Sequence, residues 1–381
     1  MPVYFKAASG NVADDQTHQA TWKLLAELVN RPDFVYVADC KLATTDNMNE
    51  IARQGGRFIT VLPASRKEDT AFRQRLREKP ETIRWRELYR LTEEDGSLRD
   101  VFRVCTQEQL SKESYRLMWF HSRGKQDSDA ATRARRLQRA IRELTDLRVR
   151  LGGKRTRFRE PQKVVSAVDA ILDAHQAGDL LRVEIHPQQQ ERYRQASRGR
   201  PSQNTKYKRE VKTRFDLTWE IDGDQLDRAV AGDGVFPLIT NIPDWNAKQV
   251  LEAYKRQPII EKRFSQLKTD FRVAPVYLQN VGRIVGLLAI YFFALMVQSL
   301  LERELRQAMA SQGVDSLPLY PEGRACVRPT TRQLLDFFEP VSRHTLMKGD
   351  NVFEESFSTE LSPLHRTLLK LLRVPATDYR N

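Results

Sequence analysis

Asp39 closes a short apolar run, and Tyr254, Glu261 and Lys268 are spaced by seven. These are the residues whose types and placement can do chemistry. A carboxylate at the C-terminal end of a strand stands at the sheet edge where open α/β sheets bind ligands. A turn or capping aspartate is the other reading of Asp39. Seven residues rotate a helix by about 700°, so on one continuous helix the phenol, carboxylate and ammonium share a face. An ordinary solvated helix face carries the same pattern. Pro258 interrupts the stretch: it removes the hydrogen bond to the Tyr254 carbonyl and is expected to kink or restart the helix. Phe264 and Leu267 belong to the neighbouring face.

The elements that must position Asp39 are legible around it. Thr17 to Val29 reads as an amphipathic helix, with Trp22, Leu25, Leu28 and Val29 at helical spacing. FVYVAD is a short strand ending at Asp39. Thr44 or Thr45 caps a helix running to about Ala52, and Gly55-Gly56 ends it. RFITVL, Arg57 to Leu62, is a second strand. Strand, helix and strand in this order predict a mixed or parallel sheet.

The texture changes after Pro63. VFRVC, YRLMWFH, LRVEIH and RFDLTWEI alternate like half-buried strands. Asp127 to Leu151 reads as a long basic helix, capped by Asp127 or Ser128 and stopped by Gly152-Gly153. Arg192 to Arg214 holds nine Lys/Arg and one acidic residue around Gly199 and Pro201, and is expected to be an exposed basic loop. Trp219 and Trp245 are read either as core or as platforms for an unpaired base. Further on, VFPLIT is a strand that Pro237 assigns to an edge or bulge. A helical stretch runs from Asn246 to about Phe271. The unbroken apolar run Ile284 to Val297 is expected to be a central core helix, since a membrane span needs about 20 such residues. A loop follows from Ser311 to Pro329, and two shorter helices complete the chain.

Composition narrows the classes. The 381 residues include 63 Lys+Arg and 50 Asp+Glu, a formal charge of +13, with 40% apolar residues. That excludes a wholly disordered chain and points to a polyanionic partner, most simply nucleic acid. The three cysteines, Cys40, Cys105 and Cys326, form no C-x-x-C pair, which argues against a disulfide framework or a Cys-based zinc site and fits a reducing cytoplasm. No basic segment followed by an apolar one opens the chain as in a signal peptide.

Two blocks, FVYVADCKLATTDNMNEIARQGGRFITVL and DGVFPLITNIPDWNAKQVLEAYKRQPIIEKRFSQLK, resemble DDE-type insertion-sequence transposases with an RNase H-like catalytic domain. More narrowly, they resemble the branch marked by Tyr-x2-Arg-x3-Glu-x6-Lys. GNVADDQTH near the start resembles the segment after that branch's first catalytic strand. The resemblance implies that Asp39 is the second catalytic aspartate and Glu261 the catalytic glutamate, both metal ligands. Tyr254 and Lys268 match the signature positions that contact DNA phosphate. The signature arginine falls at Gln257, so Arg256 or Arg263 would have to supply that charge.

What this implies for the whole chain follows. The fold expected is α/β, an RNase H-like mixed sheet with flanking helices interrupted by a large β-rich insertion. Asp39 and Glu261 lie 222 positions apart, which leaves room for it. The divisions expected are 1–65, the first part of the catalytic domain; 66–233, a basic insertion domain; 234–308, the second part with the glutamate helix; and 309–381, a helical tail. The implied reaction is strand cleavage and transfer at transposon ends with two Mg2+ or Mn2+ ions. The implied partners are terminal-repeat and target DNA and a second copy of the chain, without a membrane, in the cytoplasm. The basic helix and the Arg192–Arg214 stretch are candidates for phosphate contact. The family's first catalytic aspartate precedes the segment that begins here at Gly10, so the chain is read as lacking its first strands, and little cleavage is expected from Asp39 and Glu261 alone. Asp14 and Asp15 are assigned local turn or capping roles. The alternative is a non-catalytic DNA-binding remnant.

Overall fold

The computed structural model describes residues 2–7, 13–93, 96–107, 109–153, 156–196, 206–257, 262–263, 265–266, 276–320, 322–348 and 352–379. The chain divides into two compact units, Ala13–Lys255 and Met1–Val12 with Arg256–Asn381.

The first unit is mixed α/β. Its strands are β1 (Val35–Val37), β2 (Arg57–Val61), β3 (Trp85–Thr92), β4 (Leu98–Cys105), β5 (Gln109–Leu110), β6 (Arg116–Ser122), β7 (Leu181–Gln195), β8 (Tyr207–Ile221) and β9 (Val235–Thr240). Its helices are α1 (His18–Val29), α2 (Thr45–Arg53), α3 (Lys67–Glu78), α4 (Arg123–Gly152), α5 (Pro161–Ala174), α6 (Gly223–Ala231) and α7 (Ala247–Tyr254). Seven strands form one sheet in the order β1-β2-β9-β6-β4-β3, with β5 also on β6. β1 and β2 are parallel, joined through α2 as the sequence predicts, and the remaining pairings are antiparallel.

Each face of the sheet has its own cover. On one side Trp22, Met48, Ile51, Phe72 and Leu76 from α1, α2 and α3 pack with Phe58, Leu117 and Trp119. Phe72 stacks on Trp119 with centroids 3.8 Å apart and planes 3° from parallel. On the other side Val250 and Leu251 of α7 pack on Ile59, Phe120, Phe236 and Leu238. The alternation places Tyr36 against the first cluster and Val35 and Val37 against the second. Of the apolar positions expected on α1, Trp22 is buried, whereas Leu28 and Val29 are exposed at the helix end.

Several expectations need correction. β9 is neither an edge nor a bulge: all six residues are buried between β2 and β6. Pro237 is accommodated because β2 ends beside it. Its carbonyl accepts from Leu62 N–H just past β2, and the N–H that proline lacks would face the same side. The boundary at 66 also falls inside the sheet, since β3 to β6 are hydrogen-bonded to the strands around them. The part of 66–233 with a separate core is α4, α5 and the base of the β7–β8 ribbon. There Leu137, Leu144, Leu147, Val164, Val168, Leu181 and Leu217 come together, and Trp219 packs against them. Trp245 likewise packs on the α7 core. Arg192–Arg214 is not simply a loop: β7 and β8 pair over 15 positions, from Leu181↔Ile221 to Gln195↔Tyr207. Residues 197–205 lie outside the described residues.

α4 starts earlier than predicted. Ser122 at the end of β6 caps it, accepting from Lys125 N–H, and Asp100 of β4 accepts from Gly124 N–H at 2.9 Å and from Ser122 Oγ at 2.7 Å. A carboxylate at a helix N-terminus satisfies free N–H groups and the helix dipole. That support from a neighbouring strand is not visible in the local sequence.

The second unit holds α8 (Val281–Ser311), α9 (Thr331–Phe338), α10 (Pro363–Leu371) and a hairpin of β10 (Arg343–Lys348) with β11 (Val352–Ser358). The hairpin was not expected in a helical tail. α8 is a core helix only along its second half, where Leu295, Ser299, Glu302, Leu305 and Met309 are buried. Ile290, Phe293 and Val297 are 66, 61 and 56% exposed, contrary to a central core helix. Its length and composition also suffice to cross a membrane, and only 11% of its apolar window is buried.

Candidate functional site

Asp39 lies two residues beyond β1 in the turn that leads to α2. The turn is built by its own backbone: Leu42 N–H donates to the Asp39 carbonyl and Ala43 N–H to that of Cys40. Thr60 Oγ1 donates to the Asp39 carbonyl from β2. Thr44 then caps α2 by accepting from Asn47 N–H. Asn47 donates in turn to the Asp15 carbonyl, which ties the 3-10 turn Asp14–Thr17 to α2. This contact of Asp15 is made through its backbone, to a residue 32 positions away, rather than by a local side-chain cap. This turn is where a parallel strand–helix–strand unit presents side chains to a ligand.

The Asp39 side chain is 54% exposed and accepts from Lys41 N–H through Oδ1 at 2.9 Å. The same oxygen is 4.0 Å from His18 Nε2, too far for a hydrogen bond. His18 Nδ1 is 3.0 Å from the Tyr36 hydroxyl. Burial, and after it the negative charge of Asp39, push the Tyr36 phenol up to about 12. The phenol therefore stays protonated at neutral pH, and its hydroxyl can donate to Nδ1 or accept from it. The result is a line of phenol, imidazole and carboxylate that opens to solvent at the carboxylate. Sequence reasoning missed His18 and Tyr36, because the contact joins the start of α1 to β1 across the fold.

A second polar cluster fixes the neighbouring end of α2. Glu113, whose side chain is 3% exposed, accepts from Arg66 at 2.8 and 3.0 Å, from Thr45 Oγ1 at 2.7 Å and from Ser111 Oγ at 2.9 Å. Burial alone would raise the Glu113 carboxyl. The Arg66, Thr45 and Ser111 hydrogen bonds outweigh that and hold it at about 2. Arg66 also bonds Glu68, whose carboxyl the guanidinium likewise lowers to about 2.

Of the predicted stripe, only Tyr254 lies among the described residues. Asn246 caps α7 in a reciprocal capping box with Gln249, and α7 ends at Tyr254, ahead of Pro258. The Tyr254 ring packs 6.4 Å from Phe236. Arg256 is exposed in the following turn and Gln257 is half-buried. Arg263 does not project as a phosphate contact: it donates to Glu302 at 2.6 Å and to Gln266 at 2.8 Å. Glu302 is buried and also accepts from Arg306 and Thr331 N–H, so Arg263 neutralises an interior carboxylate. Glu261 and Lys268 lie outside the described residues, as do Pro258, Phe264 and Leu267.

Among the described residues no group of three or more His, Cys, Asp or Glu side chains comes together as a metal cage. Asp39 alone offers a single carboxylate, with one oxygen already accepting from Lys41. No family model, curated protein or solved structure matches this chain.

Proposed function

We propose that this chain carries catalytic-domain segments of a DDE-type insertion-sequence transposase, which cuts and joins DNA at transposon ends. Beside the sequence resemblance, one observation supports the reading. Asp39 presents an exposed carboxylate just beyond the C-terminal end of the first strand in the parallel β1–α2–β2 unit. Ligand sites of open α/β sheets favour that position. On this reading the sheet is RNase H-like, the partners are transposon-end and target DNA with a second copy of the chain, and the compartment is the cytoplasm.

The reading calls for two Mg2+ or Mn2+ ions held by several carboxylates. The described residues do not by themselves fit such a pair, since they bring Asp39 and no further carboxylate cage. The second carboxylate the reading requires is Glu261. The chain's own contribution is to hold Asp39 in a hydrogen-bonded turn, with His18 Nε2 4.0 Å from its carboxylate.

The test is nicking of supercoiled DNA in Mg2+ with the full chain fused to a first-strand-and-aspartate segment taken from a transposase of the branch it resembles. Nicking is expected in the fusion and not in its Asp39→Asn or Glu261→Ala forms. Nicking that survives either substitution sinks the assignment.

A further inference from the structure

The β7–β8 ribbon changes character halfway along. At its base the odd-numbered residues Leu181, Phe215 and Leu217 are buried and Val183, Ile185 and Trp219 pack on α4 and α5. From Gln188 to Arg194 and back from Lys206 to Arg209, every residue is exposed. Eight residue pairs at about 3.4 Å each make an arm of roughly 27 Å beyond the core. A two-stranded ribbon is at best marginally stable by itself, so an arm of this length needs a reason.

Cross-strand partners share a face. The even-numbered pairs of the arm are Gln188↔Arg214, Gln190↔Lys212, Arg192↔Glu210 and Arg194↔Lys208. One face thus carries five cations, two glutamine amides and a single carboxylate. Arg214 donates to the Gly152 carbonyl at the end of α4. Arg192, Arg194, Lys208 and Lys212 form no ion pair among the described residues. Arg194 stands directly opposite Lys208, an arrangement that costs stability unless a polyanion covers it. The other face differs: Tyr193, Tyr207 and Val211 lie there, and Arg209 is paired with Glu191.

We infer that this arm docks in the major groove of duplex DNA, cationic face inward. The inference rests on the proposed DNA-processing role and names the surface that grips the substrate. Two strands about 4.8 Å apart fit a groove about 12 Å wide, which admits a two-stranded ribbon. Arg192, Arg194, Lys208 and Lys212 contact phosphates along its walls. Gln188 and Gln190 reach base edges, where an amide pairs with the N6 and N7 of adenine.

The experiment measures fluorescence anisotropy of a labelled duplex with the full chain in EDTA, across a salt series. In a variant carrying Arg192→Gln, Arg194→Gln, Lys208→Gln and Lys212→Gln, the slope of log affinity against log salt should flatten by about 3–4, from about 0.9 per lost phosphate contact. Substituting the exposed Arg135, Arg136, Arg139 and Arg142 of α4 with Gln should change it less; an equal change overturns the arm as the docking element. The smaller variant Arg194→Gln with Lys208→Gln relieves a like-charge pair. It should fold at least as well as the parent and give about half the effect. Methyl green, which fills the major groove, should compete, and netropsin, which fills the minor groove, should not; the reverse pattern overturns the groove assignment. Unchanged duplex affinity in the four-site variant overturns the inference, while the transposase reading stands or falls separately on the nicking assay.

Discussion

Arg133 and Asp233 face each other in a two-pronged ion pair, Nη1 to Oδ1 and Nη2 to Oδ2 both at 2.7 Å. The pair is nearly buried and fastens α4 to the turn that opens β9. Asp129 adds a bond to Gly234 N–H beside it. The basic helix and the ribbon packed on it are thereby held to the sheet. Removing one partner leaves the other charge buried without compensation. Asp233→Ala is therefore expected to cost about 3 kcal/mol in urea denaturation, and Arg133→Ala together with Asp233→Ala less than the sum of the single changes.

Gly234 is held at φ +75°, and a Cβ there would stand 2.6 Å from the Ser122 carbonyl oxygen. That backbone region disfavours side chains, and the obstacle is main chain that cannot swing away. Gly234→Ala should lower the urea midpoint by an amount equivalent to about 2 kcal/mol. An unchanged midpoint would refute this account of the strand entry.

Tyr36 makes the fold sensitive to alkali. Its folded phenol titrates at about 12 against an ordinary 10.0. The folded state therefore holds that proton more tightly than the unfolded chain. The stability linked to it is complete below pH 10.0 and is lost as pH rises to about 12. The loss is at most about 2–3 kcal/mol at roughly 1.4 kcal/mol per pH unit. Tyr36→Phe should flatten this part of the stability profile, measured by denaturant titration at each pH; a slope identical to the parent's contradicts it.

Glu113 has the opposite sign. Its carboxyl titrates at about 2 in the fold and near 4.5 when free. The linked stability is present above pH 4.5 and disappears as pH falls towards about 2. Glu113→Gln should destabilise the protein at neutral pH, because the Arg66 guanidinium loses its charged partner. It should also shallow the acid limb of the profile relative to the parent.

Much around Asp39 was legible in the sequence because several local signals agree there. The short apolar run FVYVA, the Thr44 cap and the Gly55-Gly56 stop all specify the same β1–α2–β2 unit. Elsewhere, tertiary partners decided. Pro237 reads as an edge residue, yet it sits centrally because β2 ends beside it. The charges of Arg192–Arg214 read as a loop, yet period-two pairing organises the described part of them into a ribbon. The apolar run of α8 reads as core, but nothing in the run says which half finds a cover. His18 and Tyr36 gave no signal, because their relation to Asp39 exists only once α1 is laid beside β1.

The most direct test of the central claim is Mg2+-dependent nicking of supercoiled DNA by the chain fused to a first-strand-and-aspartate segment of the transposase branch it resembles, compared with its Asp39→Asn form. The account predicts nicks in the first and none in the second, with equal duplex affinity for both. Equal nicking by both would contradict it.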